Sequence, residues 1–280
     1  MCYSKALKAE KNQLEQAYNA TMRDIDFSPK YYETGFDFDN DPIITAERPK
    51  EFLMYRWGLT PWFEKDPVKN AAPTGTLNCK SEGMYSTASF RDSAEKAKRC
   101  LIPATSFLES HWSSVTKKTP KNKIPFKIYS LEQDIFSIAG LYSYWKDKET
   151  GREILSYTVL TTAANELMRY IHNNPTNPHR MPVIIKKEYE KDWLNLNLSQ
   201  DDVLALCKSM PEGFLTSHPI TKEVNGRKLS SSEKNHPDID KLVQYNSDDL
   251  DEIEVQKNAK EPKTPKSKKA KGDESQQSLF

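Results

Sequence analysis

Long apolar runs are missing from this 280-residue chain. With them goes any segment able to cross a bilayer as a helix or to form the apolar heart of a secretory leader. Cysteine is scarce and scattered: Cys2, Cys79, Cys100 and Cys207 include no CxxC pair, and no histidine stands at zinc-finger spacing. That argues against a disulfide framework and against a metal site, and it fits a reducing compartment. Net charge is nearly absent too, because 41 Lys and Arg oppose 40 Asp and Glu. Bulk charge therefore cannot draw the chain to nucleic acid, and any such binding has to come from a local patch. No internal repeat is visible. These absences leave a soluble, cytoplasmic protein, long enough to bury a substantial core. It has no membrane partner, and nothing in it demands more than a monomer.

What is present divides the chain in two. Residues 4–22 carry Leu7, Leu14, Ala17, Tyr18 and Met22 near helical spacing, which predicts a first helix capped by Ser4 with its N-terminus beside Cys2. Aromatic and β-branched runs at 51–59, 100–110, 124–130, 135–145, 155–162 and 181–185 read as strands. Helical patterns at 164–172, 186–196 and 199–210 interrupt them, the last with Ser199 as N-cap. Together they predict one α+β, β-rich domain over residues 1–245. From 246 to 280 large apolar residues nearly vanish among acidic, lysine and proline residues, a composition that predicts a disordered tail. The tail nevertheless closes on QQSLF, where Leu279 and Phe280 have no packing reason to stand.

The chemistry-bearing residues are spread along the domain. MCYSK places Cys2 where trimming of Met1 would free an α-amine beside a thiol, a 1,2-aminothiol that condenses with aldehydes to a thiazolidine. Position 2 on its own favours the plainer alternative of a retained methionine. Asn78, Lys80 and Glu82 alternate in LNCKSEGM and would share one face of an extended segment. Glu109 ends an apolar run, a setting for a solvated strand end or for a carboxyl of raised pKa. His172 and His179 stand in the polar loop of IHNNPTNPHRMP. Trp62 and Phe63 beside Arg56 and Lys65 have the mixture of a base-stacking platform with phosphate contacts. Taken singly, each has an equally good structural explanation as core, surface or satisfied polar group.

Taken together, Cys2 behind Met1, RWGLTPWF, LNCKSE, SFRDSAEKAKRCLIPATSFLE, the split IH…HRMPVII and SHPITKEVN resemble the SRAP family of abasic-site-processing proteins, also called SOS response-associated peptidases. The resemblance runs in consistent order over roughly residues 1–240. It implies a β-rich α+β fold of distorted, barrel-like sheets with peripheral helices, and a basic cleft for single-stranded DNA. It implies a DNA-damage role in which the matured N-terminal cysteine captures the aldehyde of an abasic site as a covalent DNA–protein crosslink, with a lyase side reaction and no cofactor. Cys2 is then the nucleophile, Asn78 holds the sugar and Glu109 is the acid/base. The histidine is His172, which keeps the I-H context, with His179 as runner-up. Arg56, Lys80, Arg91 and Arg180 become candidates for phosphate contacts, with Trp62 and Phe63 for stacking. QQSLF resembles peptides that dock into the bacterial sliding clamp, with Gln276, Leu279 and Phe280 as the contacts, which would bring the protein to replication forks.

The chain departs from the family pattern in several places. Tyr3 and Ser4 replace the Gly-Arg of M-C-G-R, and Lys80 replaces an arginine, losing its bidentate fork. YYETGFDF (31–38) stands where the family has Y-N-V-A-P, and an insertion separates His172 from Arg180. Two other functions fit the same residues: a cysteine peptidase using Cys2, His172 and Glu109, and a non-covalent module for single-stranded DNA.

Overall fold

The aromatic and β-branched runs fold as strands. The structure, a computed structural model, describes residues 2–66, 74–113, 122–174, 176, 179–225 and 229–245. The segment expected to be a disordered tail, with Gln276, Leu279 and Phe280, lies outside the described residues. In chain order the elements are β1 (Ser4–Leu7), α1 (Lys11–Tyr18), β2 (Lys30–Thr34), β3 (Asn40–Thr45), β4 (Phe52–Trp57), β5 (Asn78–Lys80), α2 (Ala88–Glu95), β6 (Arg99–Ala104) and β7 (Ser106–Ser113). They continue as β8 (Asn122–Ser130), β9 (Phe136–Lys146), β10 (Glu153–Ala163), α3 (Glu166–Ile171), β11 (Arg180–Pro182), β12 (Ile184–Ile185), α4 (Glu190–Trp193), α5 (Gln200–Leu206), β13 (Leu215–Pro219) and α6 (Ser231–Lys234). The fold is α+β and β-rich, as its sequence pattern predicts.

Five strands close into a barrel. The ring runs β10–β4–β3–β6–β9 and returns to β10. An odd number of strands cannot close with antiparallel pairs alone, and here β4 and β10 supply the parallel one, Ser156 opposite Arg56. The barrel is packed, not hollow: Tyr55, Trp57, Ile102, Tyr142 and Tyr157 join one buried cluster. Gly140 on β9 shows how tightly. A Cβ there would come within 2.7 Å of both the Ile102 side chain and the Thr158 carbonyl oxygen. Gly140→Ala is therefore expected to destabilise the protein by about 1–3 kcal/mol, the usual penalty of overpacking. Thermal melts check this, and an unchanged midpoint would mean that β9 shifts without strain.

The second sheet has the order β13–β8–β7–β1–β2. Its centre corrects the reading of residues 4–22 as one helix. Ser4–Leu7 is a strand, with Lys5 opposite Glu33 on one side and Phe107 on the other. The helix begins only at Lys11, where Glu10 and Gln13 form a capping box, so Ser4 caps nothing and no helix N-terminus lies at Cys2. Tertiary pairing on both edges outweighs a periodic pattern that Leu7 happens to fit.

Charge buried beneath β1 pins the strand. The Lys5 ammonium is fully buried, bonded to Glu33, 3.6 Å from Asp41 and under the Trp57 ring. Lys30 bonds both carboxylates at 2.8 Å. Burial pulls Lys5 down to about 8. Loss of one partner from such a group typically costs about 3–5 kcal/mol, so β1 has a strongly preferred register.

Residues 229–245 pack back on this sheet. Leu229 and Ile239 join Tyr32, Leu108 and Ile220 in a small apolar cluster. Asp240 accepts from Lys8 at 2.7 Å and pairs with Lys127 at 2.8 Å, and Lys234 of α6 pairs with Asp37.

Candidate active site

The pairing of β1 with β7 sets the first contact. Ser4 lies opposite Leu108, so the antiparallel register brings Glu109 level with the residues just before Ser4. Cys2 is there, 2 % exposed, its thiol 3.6 Å from the Ser4 carbonyl oxygen. Burial, reinforced by the negative charge of Glu109, pushes the Cys2 thiol up to about 12. The other three cysteines are free, buried and likewise raised, first of all by burial.

Glu109 has a mostly buried side chain and accepts the Ser110 N–H at 3.1 Å. Burial raises its carboxyl above the ordinary range. His172 Nε2 stands 3.8 Å from Glu109 Oε2.

His172 terminates α3, a helix capped at its start by Asn165, which accepts the Met168 N–H. His179 and Arg180, separated from it in sequence by the insertion, return to it in space. The His179 N–H donates to the His172 carbonyl at 2.8 Å, and the Arg180 N–H donates to His172 Nδ1 at 3.1 Å. An Nδ1 that accepts leaves the proton of the neutral ring on Nε2, facing Glu109. Burial pulls His172 down to about 3, so the ring is neutral in the working range. His179 itself is exposed, at φ +60°, and bonds His172 through its backbone.

A clamp that the sequence did not reveal holds α3 to β7. The Asn173 side chain accepts from the Trp112 N–H at 2.7 Å and donates to the Trp112 carbonyl at 2.9 Å, extending the strand edge. His111 stacks on Tyr170 at 4.4 Å and meets its carbonyl oxygen at 2.7 Å. Both contacts hold the strand that carries Glu109 against the helix that carries His172.

Asn78 lies on β5 opposite Val159, buried, and neither of its amide atoms finds a hydrogen-bond partner among the described residues. A buried amide with neither atom bonded is rare in folded proteins. The expected shared face of Asn78, Lys80 and Glu82 does not form. The strand ends at Lys80, which is exposed, and a 3-10 turn carries Glu82 to Arg180 instead.

The expected phosphate contacts differ in their surroundings. Arg180 makes a two-bond pair with Glu82 at 2.8 Å and also donates to Thr161 O, so its charge is already matched. Arg56 is half-buried and donates to Thr60 Oγ1 at 2.9 Å. Lys80 and Arg91 are exposed. Trp62 and Phe63 expose their rings in an edge-to-face pair at 5.8 Å.

The depressed His172 pKa has a consequence for acid stability. The folded protein holds this imidazole neutral while the unfolded chain protonates it near ~6.5. Its contribution is therefore complete above that value and is lost as pH falls from ~6.5 towards about 3. His172→Gln is expected to flatten this limb of the stability profile, read by denaturant melts across the window. An unchanged limb would contradict the buried neutral ring.

Comparison with known proteins decides the family. The sequence model of the SOS response associated peptidase (SRAP) family matches residues 1–227. The chain belongs to this family. Among SRAP relatives it is 36% identical over 179 residues to the abasic site processing protein YoqW of Bacillus subtilis, covering 64% of this chain and 73% of that protein. It is 32% identical over 199 residues to the abasic site processing protein HMCES of Xenopus tropicalis, covering 64% of this chain and 55% of the relative. A solved Bacteroides thetaiotaomicron protein shares the fold with a TM-score of 0.75 at 28% identity, over 87% of this chain and 100% of that one. A second, from Bordetella bronchiseptica, gives 0.67 at 23% identity over 79% and 100%, a likeness of fold alone. No described helix is long and apolar enough to cross a membrane.

Proposed function

We propose that this protein processes abasic sites in single-stranded DNA, capturing the aldehyde through Cys2 once Met1 has been removed. The observation that carries this is the buried group of Cys2, Glu109 and neutral His172 at the start of β1. The names of the relatives, abasic site processing proteins from a bacterium and a vertebrate, agree with it.

The reaction balances with the loss of one water. The freed α-amine attacks the aldehyde carbon of the ring-opened sugar to give a carbinolamine. Protonated Glu109 donates to the departing hydroxyl, leaving a protonated imine, and the sulfur of Cys2 adds to its carbon to close the thiazolidine. The thiol proton passes to the Glu109 carboxylate, which restores the acid. His172, with its proton on Nε2, exchanges protons at the sugar hydroxyl, and Asn78 uses its unbonded amide to hold the sugar. Loss of the 3′ phosphate from the imine is the competing lyase path. Lys80, Arg91 and Arg56, with Trp62 and Phe63, supply charge and stacking along the strand. Arg180 serves chiefly to fix Glu82 and the His172 ring. The terminal QQSLF, with Gln276, Leu279 and Phe280, is proposed to dock on the replication sliding clamp and so hold the domain near its substrate.

The peptidase alternative is weaker on electrostatic grounds. A Cys–His peptidase works through a thiolate beside an imidazolium. Here the thiol is pushed up to about 12 and the imidazole down to about 3, the reverse of that pairing. The test is a denaturing gel of protein mixed with single-stranded DNA carrying one abasic site. A shifted band is expected with the aldehyde-bearing site and none with its tetrahydrofuran analogue, which cannot open. Equal bands, or no band, would remove the proposal.

A further inference from the structure

Glu109 also lines a cleft to which the chemistry above gives no role. The cleft holds about 500 Å³, the size of a small-ligand site. Leu108, Pro125, Val224 and Leu229 form apolar walls, and Tyr3, the neighbour of Cys2, lines it as well. Phe36 stands at its rim, 52% exposed, with its ring 5.0 Å from that of Tyr3.

This exposed ring belongs to a turn that is held at several points. Thr34 caps the turn by accepting the Phe36 N–H. Gly35 is pressed against Trp57, where a Cβ would come within 3.1 Å of the indole. Phe38 is left-handed at φ 55°, and Asp37 pairs with Lys234. A fixed aromatic face, beside a second ring and an apolar cavity, is a ready stacking surface. The exposed Lys123 on the same cleft adds positive charge. Two polar groups of the lining are already committed: Ser110 donates to Asn225 at 3.1 Å, and the Asn225 amide donates to the Lys123 carbonyl at 2.8 Å.

We infer that this cleft receives the base of the nucleotide adjoining the abasic residue, stacked on Phe36 and Tyr3, with the linking phosphate near Lys123. The inference rests on the abasic-DNA reading above. Stacking tolerates any base, so the site senses that a neighbouring base is present and not which base it is. Leu229 and Lys234 complete the cleft from beyond residue 227, where the family match ends.

The experiment measures adduct formation at limiting protein, using single-stranded oligonucleotides in which the neighbour on one side or the other of the abasic site is a tetrahydrofuran residue without a base. Loss of the base on one side is expected to slow adduct formation about tenfold, a modest share of what stacking one base is worth, with little effect on the other side. Phe36→Ala is expected to slow the intact substrate by a similar factor and to erase the dependence, and Phe36→Trp to retain it. Circular dichroism confirms that the variants are folded. Indifference of the native protein to both neighbours, or the same dependence in Phe36→Ala, would overturn the cleft assignment while leaving the crosslink standing. No adduct with any oligonucleotide would overturn the abasic-DNA reading itself and the cleft with it.

Discussion

Cys2→Ala is expected to take the denaturation-resistant adduct from near-complete to undetectable, with binding to undamaged single strands unchanged. The expectation follows from the absence of a substitute thiol. Cys79, Cys100 and Cys207 are all buried on other elements with raised pKa values, and none adjoins an α-amine. Cys2→Ser makes the sharper test, because it keeps the α-amine and removes only the sulfur. The imine should still form and should be trapped by borohydride, while the untreated sample loses its stable band and accumulates cleaved strand. A band from Cys2→Ala that survives denaturation would transfer the chemistry to another residue. Full activity in Cys2→Ser would mean that ring closure by sulfur is not what makes the adduct durable.

Glu109→Gln is expected to slow adduct formation by about 10²–10⁴, the usual worth of a positioned acid/base. Its pH behaviour provides a second check. Burial raises the native carboxyl, so the acid form is depleted as pH rises through the raised value, and the native rate should fall on that limb. The amide has no proton to lose, and the variant should lack this dependence. On stability the substitution acts in the opposite sense to its effect on rate. A carboxyl whose folded pKa lies above its unfolded one binds its proton more tightly in the native state. Native stability therefore declines as pH climbs from the unfolded to the folded value, and above both the ionised group is a constant penalty. Gln can still accept the Ser110 N–H that Glu109 accepts now. The variant should thus melt higher than the native protein at neutral pH and at nearly the same temperature well below pH 4. An inactive variant that also melts lower would point to a structural role for Glu109.

The alternating runs made most of this fold legible. Strands were expected at 51–59, 124–130 and 135–145, and β4, β8 and β9 stand there, because aromatic and β-branched residues bounded by turn residues leave few other ways to bury them. Barrel closure was not legible, since it depends on which distant edges meet: besides the neighbouring β9, β10 pairs β4 and β5 from far earlier in the chain. The failure at residues 4–22 has the same origin: four residues held between two strands outweigh a helical spacing. At the site, Glu109 could be anticipated as a carboxylate in an apolar run, and His172 by its context. Asn173 and Phe36 could not. One acts by bonding a backbone three strands and a helix away in sequence, and the other by being fixed in the open beside a cavity, and neither leaves a pattern in the chain. Residues 4–7 also concealed Lys5, whose charge is hidden only because Glu33 and Asp41 arrive from β2 and β3.

The central claim is a bond between Cys2 and the abasic sugar, and intact-mass analysis with peptide mapping of the purified adduct measures it directly. The expected result is a protein lacking Met1, with a mass increment equal to the DNA minus one water, mapped to the N-terminal peptide beginning at Cys2. An adduct mapped to a lysine, or one formed while Met1 is still attached, would contradict it.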